Sequence, residues 1–193
     1  MDYQGKLTIL VIYAHPDPQQ SVANQVMLDH IADLPHVTVH DLYAAYPDFF
    51  IDCHQERALV EMHDIIIFQH PLYMYSCPAL LKEWIDVVLS KGFAHGDGIA
   101  TKGKYWLSVI TTGGAAEAYT PQGYNQCSLD DILKPFQLCA DLCQMYWLPP
   151  LVLHWARKVP EQQRQQHGEY YRQLLLHPEL LIAPIKPEDR NGQ

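Results

Sequence analysis

Three short segments carry side chains that can do chemistry together. The first is YAHPDPQQSVAN at 13–24. There His15, Ser21 and Asn24 stand where an aliphatic run gives way to a helix start. A helix N-terminus favours anions, because its first N–H groups have no intrahelical acceptor and the macrodipole points there. The second is PLYMY at 71–75, which puts aromatic edges and backbone amides at a strand tip, a setting that suits a flat heteroaromatic ring. The third is TTGG at 111–114, whose glycines let the backbone come close to a ligand. Taken singly, each has a plainer reading: Ser21 as an N-cap, PLYMY as a hydrophobic loop, TTGG as a tight turn.

The elements that must position these segments alternate along the chain. Residues 7–13 read as a buried strand and 21–33 as a helix capped by Ser21. Residues 37–42 alternate apolar and polar side chains, as a strand near a sheet edge does. A short helix is expected at 55–63. The continuous apolar run at 64–69 is typical of a central parallel strand. Residues 78–90 form an amphipathic pattern with Pro78 at its start and Leu80, Leu81, Trp84, Ile85, Val88 and Leu89 as its stripe. A fourth strand is expected at 104–111, a helix capped by Ser128 at 128–143, a fifth strand at 151–155 and a last helix at 161–176. This order predicts one α/β domain over 1–176, a doubly wound parallel sheet with strand order 2-1-3-4-5 in three α/β/α layers. Residues 177–193, with three prolines, read as a loosely ordered tail.

In that topology the ends of strands one, three and four are neighbours. The three segments then face a single crevice at the switch point of the sheet. A planar ring with an attached phosphate would touch all three, which describes a flavin mononucleotide (FMN) site.

Composition narrows the class. The chain has 193 residues, 48% hydrophobic, enough for one sizeable core. Its formal net charge is −9, with 7 Lys/Arg against 17 Asp/Glu in residues 1–150 and 6 against 5 in 151–193. An acidic body without a basic stripe excludes a nucleic-acid binder and electrostatic docking on anionic lipid. No apolar run reaches membrane-spanning length and no secretory signal is evident, so a cytoplasmic location is expected. The five cysteines, Cys53, Cys77, Cys127, Cys139 and Cys143, are expected as reduced thiols. No metal site is expected. Ala14-His15-Pro16-Asp17 is similar to the AHPDD start of zinc-dependent deacetylases. However, Pro18 replaces the second Asp, and none of the eleven histidines lie three apart. Asp48, Asp52 and Glu56 read as a solvated acidic loop and helix start.

The chain resembles the flavodoxin-like NAD(P)H:quinone oxidoreductase family over about residues 6–155. The resemblance is carried by YAHP at 13–16, S-x-x-N at 21–24, HPLYMYSCPALLKEWIDVVL at 70–89 and TTGG followed by Tyr119. HDLYAAYPDFFID (40–52), GKYWLSVITTG (103–113) and WLPP (147–150) look more narrowly like the ancillary proteins of glutathione-gated potassium efflux systems. The resemblance implies FMN, or FAD, as cofactor and NAD(P)H as electron donor to a quinone. It implies a homodimer that partners a KefB-type potassium/proton antiporter, peripheral on the cytoplasmic side of the inner membrane. Carried over by motif, the flavin contacts are His15, Ser21, Val22, Ala23, Asn24, Leu72, Tyr73, Met74, Tyr75, Thr111, Thr112, Gly113 and Gly114, with Tyr119 as a catalytic residue. Two motifs depart from the family pattern: P-x-Q-W-F/Y reads Pro71-Leu72-Tyr73-Met74-Tyr75, and the His expected six residues after Tyr119 is Asn125.

Overall fold

A computed structural model describes residues 7–183. Its strands grow from the aliphatic runs. Ile9–Tyr13 (β1) and Ile65–Pro71 (β3) are buried throughout, as central parallel strands covered on both faces must be. Val37–Asp41 (β2) is partly exposed at every position. Tyr105–Thr111 (β4) is buried after its first residue. All pair in parallel, in the order β2-β1-β3-β4. The far side of β4 carries two short pieces, Tyr146–Trp147 (β5) and Leu151–Leu153 (β6). The expected α/β order 2-1-3-4-5 is therefore present.

The last strand differs from expectation in its bounds. It ends at Leu153, and β5 precedes it, unanticipated. Pro149 and Pro150 lie between the pieces, and a proline cannot donate to a ladder. The register slips there: Trp106 pairs with Trp147, but Val109 pairs with Leu151. One extra residue is thus accommodated opposite β4, as in a bulge.

The helices, in chain order, are Val22–Ile31 (α1), Leu42–Ala45 (α2), Cys53–Glu61 (α3), Ala79–Val88 (α4), Leu129–Leu142 (α5), Glu161–Leu176 (α6) and Glu179–Ile182 (α7). Strand side chains alternate between two cores. Leu10, Ile12, Phe68, Trp106 and Ile110 pack with α4 and α5, whereas Ile9, Val11, Ile67, Leu107 and Val109 pack with α1 and α6. The expected α4 stripe is buried, each such side chain contributing about 1.5–3 kcal/mol. Ser128 and Asp131 form a capping box at α5, as the Ser128 expectation required. The short helix begins earlier than expected because Asp52 accepts from the His54 and Gln55 amides at 3.0 and 3.1 Å. α7 lies within the stretch read as a tail, and its Leu181 is buried in the second core; the rest of that stretch, 184–193, lies outside the described residues.

Glu56 corrects the acidic-cluster reading. Its carboxylate is fully buried, because α3 turns this face inward, towards β2 and α4. There it accepts from His40 Nε2 at 2.8 Å, the Tyr46 hydroxyl at 2.6 Å and Trp84 Nε1 at 2.7 Å. Asp48 and Asp52 do act as turn and helix-start acceptors.

Candidate functional site

The tips of β1, β3 and β4, with the loop after β6, enclose a cavity of about 680 Å³. Ten of the residues singled out in the sequence line it: His15, Ser21, Val22, Ala23, Asn24, Leu72, Tyr73, Thr111, Thr112 and Gly113. Met74, Tyr75, Gly114 and Tyr119 are not in its wall.

One end of the cavity is the start of α1. Ser21 stands at the N-cap position but does not cap; its hydroxyl hydrogen-bonds the Tyr13 hydroxyl instead. The amides of Val22, Ala23 and Asn24 consequently meet no acceptor among the described residues. Asp17 organises the approach by accepting from the Gln19 amide at 3.0 Å and from Gln20 Nε2 at 2.7 Å. Asn24 is buried and binds α1 to the sheet: its Nδ2 donates to Thr111 Oγ1 at 3.1 Å, and Gln69 Nε2 donates to its carbonyl at 3.2 Å. Gln69 Oε1, beneath, has no partner among the described residues.

His15 is only 4% exposed. Its Nδ1 accepts from the Asp17 amide at 3.1 Å, which leaves the ring proton on Nε2. Burial, the largest influence, lowers its pKa. The imidazole is thus a neutral donor with a fixed tautomer.

The other end is the β3 and β4 tips. Leu72 donates its amide to the Thr111 carbonyl at 2.8 Å, and Tyr73 and Ser76 exchange backbone bonds at 3.0 and 2.9 Å. That tight turn swings Met74 and Tyr75 away from the cavity. Both hold left-handed backbone, at φ 48° and 62°, and Met74 is 90% exposed. Left-handed φ at two adjacent non-glycine residues is uncommon. Gly113 keeps the wall open, because a Cβ there would meet nothing within 4 Å. Gly114 instead lies under Tyr119, whose ring a Cβ would meet at 3.2 Å.

Tyr119 has a neighbour that the sequence did not suggest. Its ring packs on His154, centroids 5.5 Å apart. Thr112 Oγ1 donates to the Gly114 carbonyl at 2.8 Å and so accepts from His154 Nδ1 at 3.1 Å. Asn125 is elsewhere, accepting from the Tyr75 hydroxyl at 3.1 Å.

Sequence reasoning missed Gln19, Gln20, Pro71, Ala156, Arg157 and Arg164, which also line the cavity. A signal for the last three existed. They follow a parallel strand, and the carboxyl end of every such strand reaches this same edge. The cysteines supply no nucleophile here: none of the five lines the cavity, and burial pushes the Cys77 thiol up to about 11.

The comparisons with known proteins agree with this geometry. Residues 7–175 match the family model described as Flavodoxin-like fold. The glutathione-regulated potassium-efflux system ancillary protein KefG of Yersinia enterocolitica is 55% identical over 171 residues, 88% of this chain and 93% of that protein. General stress protein 14 from Treponema denticola, solved in complex with FMN, superposes with a TM-score of 0.83 at 35% identity, covering 87% of this chain and 97% of that one. An NADPH-quinone reductase from P. pentosaceus gives a TM-score of 0.81 at 30% identity, covering 88% and 98%. The chain belongs to the flavodoxin-like fold family and, within it, to the group of glutathione-regulated potassium-efflux ancillary proteins.

Proposed function

We propose that this chain is the ancillary, regulatory subunit of a glutathione-gated potassium efflux system, needed for full activity of a KefB-type antiporter under electrophile stress. One observation carries the reading: 55% identity to such a protein across 93% of its length. No helix among the described residues is long and apolar enough to cross a membrane. In this reading the antiporter itself holds the chain, as a homodimer, at the cytoplasmic face of the inner membrane. Electrophile-triggered potassium efflux from cells with and without the chain is the test. Faster efflux with it supports the proposal; equal efflux rejects it.

The cavity's residues fit FMN. The uncapped α1 amides and the His15 Nε2 donor suit its phosphate, and the open wall at Gly113 with the Tyr73 ring suits the isoalloxazine. Bound flavin would supply hydride acceptance from NAD(P)H and its delivery to a quinone. The chain's own groups bind and orient. Thr111 and Asn24 fix the α1 start against β4. Thr112 holds His154, which packs on the Tyr119 ring beside Gly114, outside the cavity's wall. FAD in place of FMN is a variant of the same reading.

A second reading, a free-standing NAD(P)H:quinone reductase, is favoured by the Tyr119–His154 contact. Its test is NAD(P)H oxidation with quinone and added FMN; turnover no faster than free FMN rejects it.

A further inference from the structure

The loops at the carboxyl ends of the strands differ sharply in charge. Residues 14–21, 42–52, 72–78 and 112–128 follow β1, β2, β3 and β4. They hold Asp17, Asp48, Asp52 and Glu117 but no lysine or arginine. The loop after β6, residues 154–160, holds Arg157 and Lys158 and no carboxylate. In a chain of net charge −9, the cations of these loops therefore stand together on one turn.

That turn is firmly built. The Lys158 amide donates to the Trp155 carbonyl at 2.7 Å and closes it. The Trp155 and Ala156 amides donate to the Gly114 and Thr112 carbonyls, each at 2.9 Å, and dock it on the tip of β4. Trp155 holds left-handed backbone at φ 55°, which is unusual for so bulky a side chain; such backbone clusters at functional sites. The middle of the turn, Ala156 and Arg157, belongs to the cavity wall, and its ends stand outside. There the Trp155 side chain is 44% exposed, and the Lys158 ammonium lies over its ring, 4.9 Å from the centroid. Arg157 is engaged, donating to Gln20 Oε1 at 2.6 Å. Lys158 has no carboxylate partner among the described residues. Its charge is held in place by an aromatic face and left unneutralised.

A cavity of about 680 Å³ encloses one ligand of moderate size. A dinucleotide that brings its nicotinamide to a flavin lying there must leave its adenosine half on the rim. Of the rim loops, only the last offers a phosphate a cation. We propose that the turn 155–158 recognises the 2′-phosphate on the adenosine half of the hydride donor, with Lys158 as the residue that selects NADPH over NADH. This rests on the flavin reading for the identity of the donor and deepens it. Arg157, inside the wall, lies nearer the pyrophosphate that both donors share. Lys158, beyond it, meets the end at which they differ, and a phosphate monoester there forms a charge-assisted contact that NADH cannot make.

The experiment titrates the full chain, loaded with FMN, with adenosine 2′,5′-bisphosphate and with 5′-AMP by calorimetry. The wild type is compared with Lys158→Gln and Lys102→Gln. Lys102 is the charge control: it is exposed just ahead of β4, at the opposite edge of the sheet. The wild type should bind the bisphosphate about fivefold or more tightly than 5′-AMP. Lys158→Gln should erase that advantage without weakening 5′-AMP, Lys102→Gln should keep it, and added salt should shrink it. Equal affinities in the wild type, no binding of either nucleotide, an advantage that survives Lys158→Gln, or a loss shared by both nucleotides overturns the proposal. FMN binding is measured separately, by fluorescence quenching. If the chain takes no FMN, the flavin reading fails, and the same titrations on the flavin-free chain decide the turn by the same outcomes.

Discussion

The Tyr46 hydroxyl donates to Glu56 Oε1 across 2.6 Å in a site that holds the carboxylate wholly out of water. His40 and Trp84 complete its shell. Removing the acceptor would strand three donors, two of them on α4 and the segment after α2. Glu56→Ala should therefore destabilise the fold by about 3–5 kcal/mol, as breaking a buried charged network does. Urea unfolding measures this; a loss below about 1 kcal/mol would show that the cluster is incidental.

Acid should weaken the fold in two stages. His70 is buried, and that burial drives its pKa from 6.5 down to about 4. The unfolded chain takes up that proton first, so stability is lost as pH falls from 6.5 towards 4. His15, His154 and His167, also lowered chiefly by burial, act in the same direction. Glu56 follows. Burial raises its pKa, but the bonds from His40, Tyr46 and Trp84 and the His40 charge outweigh this and leave it lowered. Its contribution is present above the unfolded value near 4.5 and disappears as pH drops through the folded one. Urea midpoints measured from pH 7 to 4 should fall steadily, and His70→Gln should flatten the slope. A flat wild-type profile over that range contradicts the assignment.

Gly168 sets how closely α6 approaches α1. An alanine Cβ would stand 2.6 Å from His30 Nδ1, on a ring held by the Val26 carbonyl at 2.8 Å. Gly168→Ala gains helix propensity but forces this seam apart, with a net loss of about 1–3 kcal/mol. Calorimetry should show a lower Tm; an unchanged or higher Tm means that the His30 ring swings out freely.

Gly113 offers the converse case. Valine there meets no protein atom through its Cβ yet projects from the cavity wall. The Tm should stay close to wild type while FMN affinity drops at least tenfold by fluorescence titration. Tight FMN binding by Gly113→Val would place the ring elsewhere.

Much of this was legible in the chain. Continuous aliphatic runs such as residues 65–67 report burial on both faces, and the order of elements fixes which strand tips converge. Hence His15, Ser21, Asn24 and Thr111 were found together. The misses share a different character. Met74 and Tyr75 leave the cavity because Tyr73 and Ser76 close a turn, a backbone event that residue type does not announce. Ser21 loses its capping role to Tyr13, eight residues upstream, through a tertiary contact. Glu56 reads as solvent-facing until β2 and α4 supply its donors. Arg157 and Arg164 are remote in sequence from every other polar group of the cavity, and only the return of the last strand brings them there.

The divided strand at the rim of the sheet has a consequence for how this chain can associate. A long, regular rim would offer a row of amides and carbonyls on which a foreign strand could zip. Here two pieces of two and three residues flank a pair of prolines and slip register between them. Strand addition along this rim is blocked at its midpoint, so assembly by sheet extension is closed on that side. On that side, companions must meet the molecule through its helices and loops.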